Sequence, residues 1–568
     1  MTDRATALLR RLHPAWVGLI GVALYARTVA YGFVLRDDPW LIRDNQLLHG
    51  LSAGSVWRVL SDFSWEQRLR LGAEYLPVRD LSVMLDYAVF GDWVGGQHLT
   101  QVFLYAGTCA ALATLTLAIF ESRPLAWLTG ILFATHPAHV EVVAWLSERK
   151  GVLGAFLLSC SLLLATSYLH RGGWKRALAA SGVFLLAVAA KALTIAGAGA
   201  LVLVVLWLDS PLRRRRKWMF VAAYSACGLL VFVPNLWVSR SMGVIVPYHG
   251  DTFSDTLLLS AQAHTLYLKL MAYGGPYAIE YAVRPGAAGM ADWLPGALAA
   301  ALGAGAVAWA VLDRERRSAP MFGLAWWFVF LAPVSHLLVP VQNYAADRYI
   351  FLPSFGLLLA FAALLVKLPR AVSWPLGSAA ILVACGWTIL QTPVWSSSDR
   401  LFENAVRVEP TNADAWDKLA SAAADRGDEA QAWAYTHRGL KHSPGHWRLL
   451  HRQALLLAAE GKLDEAIEIM RRAASVPESH KAYANLALLY LRRGDREDAL
   501  RMAEEAVRLQ AETSHNQRVL GIVNFEIGDT VAACRAFERA AALDPYDENN
   551  RRNLALCSHA DADRTGDP

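Results

Sequence analysis

The chain has 568 residues, 55% hydrophobic and 18% charged, with 21 tryptophans and a formal net charge of +5. That length predicts at least two domains, and the apolar balance with positive mean hydropathy excludes an ordinary soluble enzyme in favour of a membrane protein. From residue 399 onward 23 Lys+Arg stand against 28 Asp+Glu, a net of −5, which leaves about +10 for residues 1–398, as basic loops anchoring a helix bundle require; no nucleic-acid partner is expected.

In chain order, Arg4, Arg10 and Arg11 precede an apolar run near Trp16–Phe33 that reaches spanning length with no small-residue cleavage site after it. It reads as a retained first span. Immediately beyond it come Arg36-Asp37-Asp38-Pro39-Trp40. Adjacent carboxylates repel, so one is expected to titrate high unless a cation or metal compensates. The pair suits a general base, a divalent cation site (Mg or Mn), or both; the alternative is a capped loop in which Asp38-Pro39 starts a turn.

Further apolar runs place spans near 98–119, 124–142, 151–169, 176–191, 193–209, 218–238, 293–312, 320–338, 349–366 and 372–391. Thr256–Tyr273, interrupted by His264 and Lys269, reads as a re-entrant or interfacial helix. Four basic clusters then fix orientation: Arg171 with Lys175 and Arg176, Arg213–Lys217, Arg314 with Arg316 and Arg317, and Lys367 with Arg370. With the N-terminus in the cytoplasm and eleven spans, all four are cytoplasmic. The long loops 35–97 and 239–292 and the C-terminal tail are then external, and the 1–398 domain is a polytopic all-α bundle.

Several polar residues fall at predicted outer ends. His136, His139 and Glu141 close the third span, followed by Glu148-Arg149-Lys150. Their spacing does not put all three on one helix face, so hydrogen bonding to the loop or a ligand headgroup is favoured over zinc ligation, and no metal site is expected there. Lys191 interrupts an apolar stretch, to snorkel outward or pair with an anionic headgroup. Arg348, between Asp347 and Tyr349, suits bidentate phosphate binding, an ion pair with Asp347, or anchoring to lipid phosphate. The cysteines carry no metal-ligand spacing, and neither a disulfide framework nor a zinc site is expected.

The tail repeats itself. Gly427, Gly461, Gly494 and Gly528 are 34, 33 and 34 residues apart, each followed five residues later by alanine: Ala432, Ala466, Ala499 and Ala533. Pro410, Pro444, Pro477 and Pro545 end units in the same register. This is the tetratricopeptide period, predicting paired helices over about 413–545 in a domain of 399–558, a capping helix near 548–558 and a disordered end at 559–568. Such an α-solenoid presents a surface for an extended peptide or another protein.

Taken together, these segments resemble the transmembrane, tetratricopeptide-containing O-mannosyltransferases, within the GT-C superfamily of polyprenyl-phosphate-sugar-dependent enzymes. The resemblance rests on Asp37-Asp38 with Asn45; on Tyr75-Leu-Pro77-Val-Arg79-Asp80 through Asp86-Tyr87 and His98-Leu-Thr100; on His136-Pro-Ala-His139-Val-Glu141; on Asp347-Arg348-Tyr349 with Leu352-Pro353-Ser354; and on the repeat tail. It departs at Asp347, where glutamate is expected, and at Ala345-Ala346, where methionine-alanine is expected. The resemblance implies a sugar, mannose, moved with inversion from a polyprenyl phosphate to a protein Ser/Thr hydroxyl at the outer face of a bacterial inner membrane, with the repeat array periplasmic. It implies Asp37 or Asp38 as base, Arg348, Lys191 and Arg149 around the donor phosphate, and Arg79, His136, His139, Glu141 and Tyr349 as polar residues of the site. The competing readings are a membrane-anchored peptide-binding scaffold and a lipid-linked-glycan transporter; no internal repeat in 1–398 supports the latter.

Overall fold

The computed structural model describes residues 13–568 except 246–247, 249–251, 274, 282–288, 314, 316, 341–342, 477–478, 545–546 and 566–568, with the side chains of 273 and 558–565 also left aside. Arg4, Arg10, Arg11, Arg314, Arg316, Pro477 and Pro545 therefore lie outside what is described. The chain divides into two compact units, Met1–Leu401 and Phe402–Pro568.

The regular elements described in the first unit are helices. A 3-10 turn Pro14–Val17 leads into α1 (Gly18–Tyr25). Residues 35–97, expected as a long loop, fold into α2 (Ala53–Ser61), α3 (Trp65–Arg70), α4 (Pro77–Phe90) and the start of α5 (Val94–Phe120). Ser52 and Ser64 cap α2 and α3 by accepting from the backbone N–H of Ser55 and Gln67. Then follow α6 (Arg123–Thr135), α7 (Val140–Ala144), α8 (Arg149–Arg171), α9 (Trp174–Ala190), α10 (Gly197–Trp207), α11 (Arg214–Ser241), α12 (Phe253–Tyr273), α13 (Met290–Leu312), α14 (Ala319–Leu331), α15 (Phe351–Lys367) and α16 (Arg370–Gln391). The span expected at 124–142 stops at Thr135, because Pro137 lacks an N–H and holds His136 in extended backbone. The segment expected to be a re-entrant or interfacial helix is the continuous helix α12, packed on α13.

Among the described residues five helices are long and apolar enough to cross a membrane: Val94–Phe120, Leu146–Arg171, Arg214–Ser241, Met290–Leu312 and Arg370–Ser396. Shorter apolar helices lie at Pro14–Ala30, Ala192–Trp207, Ala319–Val334 and Phe351–Lys367. The chain is a multi-pass membrane protein. Two close crossings join α14 to α15 and α12 to α13, where a Cβ on Gly323 or Gly296 would meet the Gly356 or Ala261 carbonyl oxygen at 2.2 Å. Small residues let backbones touch in this way where no hydrophobic drive exists between helices.

In the second unit α17 (Ser398–Val408), which begins at the end of the first, leads into four antiparallel pairs. They are α18 (Ala413–Asp425) with α19 (Glu429–His442), α20 (Trp447–Ala459) with α21 (Leu463–Ala474), α22 (His480–Arg493) with α23 (Arg496–Leu509), and α24 (Ser514–Ile527) with α25 (Thr530–Leu543). The four turn glycines hold φ of +78°, +82°, +101° and +94°, a region that favours glycine. The four alanines after them are fully buried where second helices pack on first. The first helices of successive pairs pack on one another, whereas second helices pack back onto first ones, so the first helices form the inner row. The closing helix α26 (Glu548–Thr565) runs past Ser558 into the segment expected to be disordered. Cys534 and Cys557, expected to be unpaired, form a disulfide between α25 and α26 with Cα atoms 5.6 Å apart. Cysteine spacing does not reveal it, because such a bridge needs only two helix faces to meet.

Candidate active site

The two adjacent acids Asp37 and Asp38 have different surroundings. Asp38 is 1% exposed. Its Oδ1 accepts from the backbone N–H of Ser147 at 3.0 Å and from the Ser147 hydroxyl at 2.5 Å, and its Oδ2 accepts from the Val34 N–H at 3.0 Å. Burial pushes the Asp38 carboxyl up to about 6 against the lowering effect of those donors, and repulsion from Asp37 contributes least. Asp37 is half-buried, and its carboxylate has no hydrogen-bond partner among the described residues. Asp38 therefore pins the loop to the Trp145–Glu148 segment, 109 positions away, and Asp37 is the open carboxylate.

Trp145 anchors the next layer. Its buried ring stacks on Trp395 at 5.7 Å and carries two guanidiniums, Arg36 at 5.7 Å and Arg348 at 5.6 Å. Arg36 also pairs with Glu280 at 2.5 Å. Arg348 starts the helical turn before α15. Its N–H donates to Glu141 Oε2 at 3.0 Å, its Nη1 to Glu141 Oε1 at 2.5 Å, and its Nε lies 3.6 Å from Glu148 Oε1. Lys191 reaches the other oxygen of Glu148 at 3.0 Å. Lys191 thus does not snorkel outward: it joins Arg348 through one shared carboxylate. Asp347, one of the partners expected for Arg348, instead accepts from Tyr281 at 2.5 Å, and burial beside Glu141 holds its carboxyl well above the usual range. Tyr349 lies under the Arg348 guanidinium at 5.3 Å.

The remaining expected site residues bind the protein to itself. Arg149, 1% exposed, donates to Asp86 at 2.6 Å, Gln101 at 2.9 Å and the Gln97 carbonyl at 2.8 Å, bracing α8 against α4 and α5. Arg79 pairs with Asp80 at 2.7 Å and Glu74 at 3.4 Å, and Glu74 also holds Lys150 at 2.6 Å. His139 is fully buried between the Tyr105 hydroxyl (3.0 Å) and Ser354 (2.8 Å). His136 accepts from the Ala138 N–H at 3.2 Å. These two histidines are interior hydrogen-bonding groups, and Arg149 is a brace between helices. Among the described residues no group of three or more His, Cys, Asp or Glu side chains is disposed to hold a metal ion.

Sequence reasoning missed Trp145, Ser147, Glu74, Asp86, Tyr281 and Glu280 as members of this network. Glu148 was quoted only for its basic neighbours. Glu148 sits beside Arg149 and Lys150 in the sequence, whereas the cations it meets, Lys191 and Arg348, are far along the chain, so no local pattern marks their contact.

The fold and these loops define a multi-pass, all-helical membrane protein carrying a tetratricopeptide array. The tetratricopeptide repeat family pattern matches residues 448–480 and 480–513. The chain is similar to the human protein O-mannosyl-transferase TMTC4, 25% identical over 504 residues, covering 75% of this chain and 66% of that one. Human protein O-mannosyl-transferase TMTC1 is 22% identical over 497 residues, covering 77% and 56%. The chain thus spans 66% and 56% of the length of these two curated relatives. Among solved structures, PilF of Pseudomonas aeruginosa is 18% identical, covering 28% of this chain and 79% of that one, with a TM-score of 0.23; a score that low carries no argument.

Proposed function

We propose that the chain is an integral-membrane glycosyltransferase that moves a sugar, mannose, from a polyprenyl phosphate to a Ser/Thr hydroxyl of a protein, with inversion, at the external face. The observation that carries the reading is the Asp38–Ser147 bond. It ties the loop of Arg36 and the open Asp37 carboxylate to the segment of Trp145, over whose ring both Arg36 and Arg348 lie. The similarity to protein O-mannosyl-transferases supports the reaction class.

The site end and the basic loops lie at opposite ends of α8, which begins at Arg149 and closes at Arg171. At ~1.5 Å per residue those ends are about 33 Å apart, a bilayer core's thickness. If basic loops stay in the cytoplasm, the site is external, in a bacterial inner membrane with the array periplasmic. The Cys534–Cys557 disulfide supports the same side, because such bonds persist in oxidising compartments.

Chemically, a Ser or Thr hydroxyl is a weak nucleophile until a positioned base takes its proton. Asp37 accepts that proton as the hydroxyl oxygen attacks the anomeric carbon. The bond from that carbon to the phosphate oxygen breaks, and polyprenyl phosphate leaves with the electron pair. Arg348 and Lys191, each with N–H donors beyond those given to Glu141 and Glu148, face the growing phosphate charge. Were a Mg or Mn ion to take part, Asp37 would be its open carboxylate ligand and the ion would supply charge stabilisation at the leaving phosphate; turnover across a chelator series reports whether one is needed. Transfer from a polyprenyl-phosphate sugar to an acceptor peptide tests the reading. Asp37→Asn is expected to lower kcat by roughly 10²–10⁴-fold, and undiminished turnover in both Asp37→Asn and Asp38→Asn would sink it.

A further inference from the structure

The inner row of the repeat array carries the opposite charge to the domain that builds it. Residues 399–568 have a net charge of −5, yet the four first helices hold seven Lys+Arg against four Asp+Glu, while the four second helices hold nine of each. The excess is set in register. Asp414, Arg448, Lys481 and His515 recur at 34, 33 and 34 residues, the spacing of the turn glycines, so they occupy one position along the inner row. One turn further, Lys418, Arg452 and Asn485 repeat the same spacing.

Cross-pair contacts confirm that these positions meet. Arg448 lies 3.3 Å from Asp414, Arg452 lies 3.0 Å from Asp417, and Asn485 meets His451 at 2.5 Å. Two cations are left over: exposed Lys481 and half-buried Lys418 have no ion-pair partner among the described residues. Although part of Lys481 reaches solvent, desolvation by its neighbours and then the Arg448 and Lys418 charges lower its ammonium, with the Asp417 carboxylate opposing them. Burial with Arg518 and Lys481 beside it likewise depresses His515 to about 4, so that ring is neutral near pH 7. Crowded, partly desolvated cations are relieved by an incoming anion.

We propose that this inner row binds an acidic, extended segment of the acceptor protein, its carboxylates meeting Lys481 and Lys418 while Asn485 and His515 offer hydrogen bonds. The proposal deepens the reading of the array as the part that holds the acceptor. It adds that acceptors are chosen by an acidic stretch at a distance from the hydroxyl that receives the sugar. Tethering at such a stretch raises the hydroxyl's local concentration at the membrane.

The test uses the full chain in nanodiscs and three fluorescent peptides of equal length, rich in Asp/Ser, Asn/Ser and Lys/Ser. By anisotropy the Asp/Ser peptide is expected to bind at least about tenfold tighter than the Asn/Ser one, with the preference fading as salt rises. The Lys481→Glu variant is expected to remove that preference while Lys481→Arg keeps it, with unchanged thermal unfolding as the control for folding. Equal binding of the Asn/Ser or Lys/Ser peptide, or an unaffected Lys481→Glu variant, overturns the proposal. So does displacement of the Asp/Ser peptide by vesicles rich in phosphatidylglycerol, which would assign the row to lipid headgroups. Sugar transfer to a short neutral Ser/Thr peptide is measured alongside. Its loss marks failure of the enzymatic reading, whereas its persistence without acidic-peptide preference marks failure of this inference alone.

Discussion

Two neighbouring carboxylates behave differently because one is inside and the other is not. Asp38 titrates near 6 when folded against 3.8 ordinarily, so the folded chain holds its proton more tightly than the unfolded one. Its contribution to stability is therefore full below pH 3.8 and is lost as pH rises through about 6, by on the order of 3 kcal/mol. Thermal unfolding of Asp38→Asn is expected to lack that loss, so the variant gains on the parent across pH 4 to 7 by up to about 3 kcal/mol, measured as a narrowing Tm gap. The acidic pair was legible in the sequence, since two adjacent carboxylates follow the first span almost at once. Its division of labour was not. Ser147 lies 109 positions from Asp38, and no local pattern announces a bond across that distance. Arg149 was expected around the donor phosphate and not as a brace, because Asp86 and Gln101, which neutralise and hold it, sit on other helices.

At the level of elements, the repeat period carried most of the information. Glycine and alanine at fixed offsets dictated turns and close helix contacts, and the structure places both there. The third membrane run was misread in length, since composition sees Leu125 to Val142 as apolar while Pro137 stops the helix. The disulfide was invisible for the opposite reason: it depends on α26 folding back onto α25. Closing a loop with a sequence separation of 23 residues stabilises by about 3 kcal/mol in the chain-entropy account. Cys534→Ser, and the parent under reductant, are each expected to unfold earlier in the array by that order. Fluorescence or proteolysis confined to residues 399–568 reads the change.

For the whole molecule, the composition shift near residue 399 anticipated the division found at Leu401 and Phe402, because a water-exposed solenoid and a lipid-facing bundle need different charge. Which side of the membrane each part faces comes from basic loops rather than from contacts. Single-cysteine reporters in intact cells are expected to label in the array from outside, and in the Arg213–Lys217 loop only after permeabilisation. Labelling of the array only after permeabilisation reverses the orientation and removes the external site with it.

Arg36 and Arg348 lie over the same indole, Trp145, and Arg36 is the residue before Asp37. A phosphate that draws the Arg348 guanidinium toward itself changes the surface on which Arg36 rests, and with it the approach to the base. The two substrates are then not independent: initial-rate measurements are expected to follow a compulsory order, lipid donor before hydroxyl acceptor. Product inhibition by polyprenyl phosphate should accordingly be competitive with the donor alone.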